Sequence, residues 1–279
     1  GTMLVIPSVA IHMDRSVNQH KEWKVQKDML PLYGMTGAKT PFMDVIAAAA
    51  KVKAEDILAH DLTLYSRVPA AIWGEEREFI SSPKLDDLQC AFACFRGFTQ
   101  GQKEKYISVY ALFDNEEVGS ATSQGAGSTF LANTLERLAR SLGYSYDETM
   151  AMIARSFMIS ADNAHSVHPS HPEYADPVNR PVINGGIVIK YSAAQKYATN
   201  AFSAAYFKKL CKDHDIPTQT FTNHSDNPGG STLGNISNTV IAMPTVDIGL
   251  PQLAMHSSYE TAGVKDTAYL VDAVTKFYE

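Results

Sequence analysis

From residue 79 onward, short apolar runs alternate with longer amphipathic segments. ISVYALF (107–113), FMIS (157–160), GGIVIKY (185–191), TQTFT (218–222), TVDIGL (245–250) and QLAMHS (252–257) read as strands. Helices are expected near 126–141, 146–157 and 199–213, with a closing helix over 267–278 capped by Asp266. This alternation predicts an α/β fold, with a mixed, mostly parallel sheet flanked by helices. In open α/β sheets, ligands bind at the carboxyl ends of the strands. Residues just after each apolar run are therefore where chemistry is sought first.

The preceding stretch has a different rhythm. Residues 3–13 and LTLYSRV (62–68) read as strands, and 19–40 as loop. A helix over about 41–52 is announced by Thr40-Pro41, a cap followed by a first-turn proline. In SPKLDDLQCAFACFRGF, Leu85, Leu88, Phe92 and Phe95 mark one apolar face of a helix starting near Asp86. The change of rhythm divides the chain at 78/79 into two domains.

With 279 residues, 45% of them hydrophobic, the chain can build its core without disulfide staples. Its three cysteines, Cys90, Cys94 and Cys211, contain no CxxC pair, which argues against a disulfide framework or a zinc ribbon. Buried thiols and a reducing compartment, the cytoplasm, are expected. A net charge of −6 gives no support for a nucleic-acid or anionic-membrane partner. Apolar runs such as VIAAAA are too short to span a bilayer, and the first residues do not read as a signal peptide.

DNEEVGS (114–120) places three acids within four positions, directly after an apolar strand. Crowded carboxylates repel and are costly to desolvate, so a pair of bound cations would explain them. Neighbours on an extended chain point in opposite directions. One of Glu116 and Glu117 can thus hold a metal while the other serves as general base. The plainer reading is a solvated acidic loop. Asp86 reads either as a helix N-cap or as a ligand, and its neighbour Asp87 could take the capping job.

SADNAHSVHPSHP (160–172) carries Asp162 and three histidines at 165, 168 and 171. Pro169 and Pro172 break any helix there, so a three-His site is disfavoured and Asp162 is the better ligand candidate. His256 follows an apolar strand, and the Ser257–Glu260 spacing resembles a capping box. GGSTLG (229–234) lacks the lysine of a phosphate-binding loop and is better suited to approach a substrate with its backbone. Nucleophile-elbow GxSxG is absent from the sequence, so Ser-His-Asp catalysis has no support.

Seven motifs occur in order: IPSVAIHMDRSVN, SPKLDDL, DNEEVGS, SADNAHSVHP, VIK with QKYAT, DNPGGSTLG and LAMHSSYE. Together they resemble the aspartyl aminopeptidase family, dinuclear zinc aminopeptidases, over nearly the whole chain. The resemblance implies that Asp86 bridges two divalent metal ions, zinc first, with manganese or cobalt as alternatives. It implies Glu116 as general base, Glu117 and His256 on one metal, and Asp162 on the other. His168 would contact the scissile carbonyl, and Lys190 would line the substrate pocket. His12 would enter the active site of a neighbouring subunit. Peptides are the implied substrates, and self-assembly through dimers into a larger oligomer, up to a dodecamer, is implied as well.

One departure stands out. The family carries a further ligand histidine in an AHTDS-type motif that this sequence lacks. The expectation is that 1–78 is the remainder of an inserted, β-rich dimerisation domain and 79–279 most of the catalytic domain. The isolated chain is then expected to be weakly active or inactive. A scaffold that keeps fold and assembly surfaces without catalysis is the alternative. A glycosidase using paired carboxylates ranks last, since adjacent Glu116 and Glu117 cannot readily flank a sugar ring and His256 would have no role. An acidic or an apolar N-terminal residue in the substrate remains open at this stage.

Overall fold

The computed structural model describes residues 4–19, 21–101, 106–227 and 229–279. The chain divides into two compact units, Gly1–Tyr65 and Ser66–Glu279.

In the first unit, the alanine-rich run over 41–52 forms a helix as expected, alongside a single short turn of helix before it. These are α1 (Val25–Asp28) and α2 (Phe42–Ala50). Pro41 occupies the N-cap position itself and no side chain caps the helix, so Thr40 is not the cap. Among the described residues, no strand forms over 4–13 or 62–68, and residue 3 of the first expected strand lies outside them. Val5 pairs with Leu32 in one isolated bridge, and Ala10–Asp14 folds into a turn closed by the Met13 and Asp14 amides on the Ala10 carbonyl. An apolar run becomes a strand only where a ladder partner accepts its backbone groups, and here Met13 is 85% exposed.

In the second unit strands and helices alternate as predicted, but the strands form two mixed sheets rather than one, and three of the seven strand pairings among the described residues are parallel. A four-stranded sheet has the order β3 (Met158–Ala161), β7 (Thr245–Gly249), β5 (Ile187–Lys190), β6 (Thr218–Phe221). Its β3–β7 and β5–β6 pairs are parallel, and β5–β7 is antiparallel. The two central strands are buried along their whole length, which is why they read as unbroken apolar runs. A second sheet has the order β1 (Ala71–Trp73), β2 (Phe79–Ser82), β9 (Glu260–Gly263), β8 (Pro251–Leu253), β4 (Ala164–His165), antiparallel except for β4–β8.

Helices α3 (Leu85–Gln100), α4 (Phe130–Ser141), α5 (Tyr146–Arg155), α6 (Ala201–Asp213), α7 (Leu233–Ser237) and α8 (Val264–Tyr278) complete the unit. The core joins Ile187, Ile189, Val246 and Ile248 of the sheet to Phe207 of α6, Leu270 and Val274 of α8, and Cys90 and Ala93 of α3. Each fully buried Ile, Val, Leu or Phe among these contributes roughly 1.5–3 kcal/mol. Among the described residues, no helix is long and apolar enough to cross a membrane.

Three expectations are corrected here. First, α3 turns its small side, Gln89–Cys90–Ala93–Gly97, inward. At Gly97 a Cβ would stand 2.6 Å from the Cβ of Val274, so α3 and α8 approach closely only on that side. Of the predicted face, only Leu85 is buried, whereas Leu88, Phe92 and Phe95 are exposed. Second, α8 begins at Val264 with Gly263 at its N-cap. Asp266 instead accepts the amides of Asn184 (2.7 Å) and Gly186 (3.0 Å), anchoring the turn that enters β5. Third, 107–113 forms no ladder among the described residues. Together with β3 and α3 it lines a cavity of about 930 Å³.

Candidate metal centre

Acids and one imidazole gather where strands end. β2 leads through Lys84 into Asp86 and Asp87, which depart from helical geometry at the start of α3. Asp162 follows β3, Lys190 ends β5, and His256 follows β8 in a turn where it adopts φ +64°. Glu116 and Glu117 follow the apolar 107–113 segment, which belongs to neither sheet.

Two groups of potential ligand atoms result. In the first, Asp86, Glu117 and His256 converge. His256 Nε2 lies 3.0 Å from Asp86 Oδ2 and 3.0 Å from Glu117 Oε2. In the second, Asp86, Asp87 and Asp162 converge. Asp86 belongs to both, and its side chain is only 4% exposed, against 50% for Glu117 and 64% for His256. The shared carboxylate is thus the innermost of the first three.

The electrostatics are severe. Burial, followed by the negative charge of Asp162, pushes the Asp86 carboxyl up to about 9. Burial and the neighbouring Asp162 and Asp86 raise Asp87 well above the carboxylate range. Glu116 is raised to about 7 by burial first and then by Asp162 and Glu117. Lys190, 3% exposed, sets a buried cation beside them. Lys190 Nζ sits 3.4 Å from Asp162 Oδ2 and donates to the Asn163 carbonyl at 2.6 Å. Burial is the largest influence and opposes its charge, yet Asp162, Tyr197, Asp247 and Cys90 together outweigh that cost and its pKa is raised.

The cluster fits divalent metal ions on its own chemistry. Asp86 Oδ1 and Asp87 Oδ1 are buried without a hydrogen-bond partner. Such orphaned anionic oxygens are costly unless a cation satisfies them. Mixed carboxylate and imidazole donors suit zinc, with manganese and cobalt within range.

The remaining sequence candidates are placed differently. His168 is exposed, accepts the Ser170 amide at Nδ1 (3.1 Å), and has its ring 5.1 Å from that of His171. Neither it nor His165 and His171 joins a donor group among the described residues. His12 lies in the first unit, in the Ala10–Asp14 turn. In the glycine-rich segment, Thr232 donates to Asp247 Oδ1 (3.0 Å), and a Cβ at Gly234 would collide with Asp247 and Ser160. Sequence reasoning gave Asp87 only a capping role. The Asp-Asp doublet was its one signal.

Nearly the whole chain matches a known family. Residues 2–278 fit the family described as Aminopeptidase I zinc metalloprotease (M18). The chain belongs to the M18 family. A protein named "Probable M18 family aminopeptidase 2" from Clostridium novyi (strain NT) is 44% identical over 280 residues, covering 99% of this chain and 65% of the relative. This M18 chain thus spans a little under two thirds of that relative's length. Among solved structures, a chain of the Ape4 and Nbr1 complex superposes with a TM-score of 0.87 at 31% identity, over 99% of this chain and 57% of that one. A chain of the S. cerevisiae mApe1 dodecamer superposes with a TM-score of 0.75 at 27% identity, over 85% of this chain and 54% of that one. The mixed α/β fold expected from the strand–helix alternation is that of these M18 structures.

Proposed function

We propose that this chain carries the metal ligands and general base of a zinc-dependent aminopeptidase. The observation that carries the reading is the Asp86 carboxylate, common to a carboxylate–carboxylate–imidazole group and to a three-carboxylate group. On this reading Asp86 would be shared between two ions, Glu117 and His256 would hold one, and Asp162, with Asp87 beside it, would hold the other. When bound, the metal pair supplies Lewis acidity that lowers the pKa of water from about 15.7 to about 7.

The chain's own residues supply the rest. Glu116, which precedes Glu117 in the loop after 107–113, takes a proton from the attacking water and passes it to the departing amine. A free α-amino group is drawn to the acidic cluster, which restricts cleavage to the N-terminal residue of a peptide. Lys190 favours an acidic side chain in that residue. His168, in the loop after Asp162, approaches the scissile carbonyl. His12, in a separate unit, serves the active site of a neighbouring subunit. The mApe1 dodecamer among the similar structures supports such self-assembly. We assign 1–78 to dimerisation and 79–279 to catalysis. Three free thiols, Cys90, Cys94 and Cys211, support a cytoplasmic setting.

The second donor group contains no imidazole, so turnover by this chain alone is expected to be slow. The test is hydrolysis of Asp-, Glu- and Leu-anilides by the zinc-loaded chain. Slow release that disappears on chelation supports the reading. Zinc uptake with no zinc-dependent release from any of the three favours the scaffold alternative.

A further inference from the structure

The Ser257–Glu260 spacing resembles a capping box, but Glu260 caps no helix. It opens β9, the strand lying between β2 and β8. β2 leads into Asp86 and β8 leads into His256. Glu260 is 2% exposed, and its two oxygens are divided between those two segments. Oε2 accepts the backbone amide of Asp86 at 2.9 Å. Oε1 accepts the backbone amide of His256 at 2.7 Å. Both segments depart from regular backbone, with Lys84 at φ +60° and His256 at φ +64°. Non-glycine residues persist in such conformations only where their surroundings hold them.

We infer that Glu260 is the positioning residue of the metal centre, one buried carboxylate fastening the backbones of the shared ligand Asp86 and the imidazole ligand His256 at a fixed separation. The inference rests on the metal-site reading above and adds to it a residue that touches neither metal nor substrate. Only a carboxylate can serve both amides. Glutamine offers one acceptor oxygen and turns an amide NH₂ toward the other N–H. Neutral alanine leaves both amides unpaired.

The test compares wild type, Glu260→Gln and Glu260→Asp for zinc affinity, by competition with a chromophoric chelator, and for the visible d–d spectrum of the cobalt-loaded chain. Gly97→Ala, in the α3–α8 contact, serves as a destabilised control. Glu260→Gln is expected to weaken zinc binding by about 10- to 100-fold, the range for outer partners of metal ligands, and to shift the cobalt spectrum. The control is expected to keep the wild-type spectrum. If Glu260→Gln does not fold, Glu260→Asp decides. It keeps both oxygens but is one methylene short, and is expected to weaken zinc and move the spectrum in the same direction. Wild-type affinity and spectrum in whichever folded variant is tested overturn the inference, as does an equal spectral shift in Gly97→Ala. A wild-type chain that takes up neither zinc nor cobalt overturns the site reading itself.

Discussion

His256 Nε2 stands 3.0 Å from Asp86 Oδ2, although 170 residues separate them in sequence. The sheet order makes this possible, because β2 and β8 flank β9 and both end on the same side. Glu117 closes the same group from a segment that belongs to neither sheet. The proposed metal centre rests on this convergence.

Glu116 is expected to act on protons rather than on metal. Glu116→Gln should leave zinc stoichiometry unchanged and lower anilide turnover by about 10²- to 10⁴-fold. Metal analysis and steady-state rates on the same sample check both halves.

Lys190 is proposed to select acidic substrates. Lys190→Met should narrow the preference for Asp- over Leu-anilide, read as the ratio of the two kcat/KM values. An unchanged ratio rejects that role and leaves Lys190 as the counter-ion of Asp162, 3.4 Å away.

The helix pair α3–α8 tests the packing argument. Gly97→Ala puts a methyl 2.6 Å from the Val274 Cβ, so it should destabilise the fold by about 1–3 kcal/mol. A lowered thermal midpoint without change in the far-UV spectrum is the expected reading.

Asp266 gives a pH signature away from the metal centre. Burial raises its carboxyl from 3.8 to about 6, against the pull of the Asn184 and Gly186 amides. Folding therefore favours its protonated form. Its contribution is fully present below pH 3.8 and is lost as pH rises through about 6. The difference of about two units corresponds to roughly 3 kcal/mol. Relative to Asp266→Asn, the wild type should lose up to that much stability between pH 4 and 7, measured by denaturant unfolding across the range.

Much of the second unit was legible because its signals are local. β3, β5, β6 and β7 announce themselves as apolar runs, and each finds a neighbour in the same sheet. Asp86, Glu117, Asp162 and His256 stand out in the sequence because each follows an apolar run or opens a helix, whereas the ligand roles proposed for them come from the family resemblance. What failed depends on partners. The run 107–113 is as apolar as β5 but has no ladder among the described residues. Periodicity placed Leu88, Phe92 and Phe95 inward, whereas the close approach at Gly97 selected the opposite side of α3. Asp266 and Glu260 both looked like helix-capping residues, and both serve backbone amides elsewhere. Such long-range hydrogen bonds leave no periodic trace in the sequence.

The central claim is that one carboxylate serves two metal ions, and zinc content per chain tests it most directly. Wild type and Asp86→Asn are dialysed to equilibrium against zinc, checked for folding, and measured by elemental analysis. The account predicts that the wild type holds zinc and that Asp86→Asn loses it from both groups, not from one. A folded Asp86→Asn chain that retains the wild-type zinc content would contradict the account.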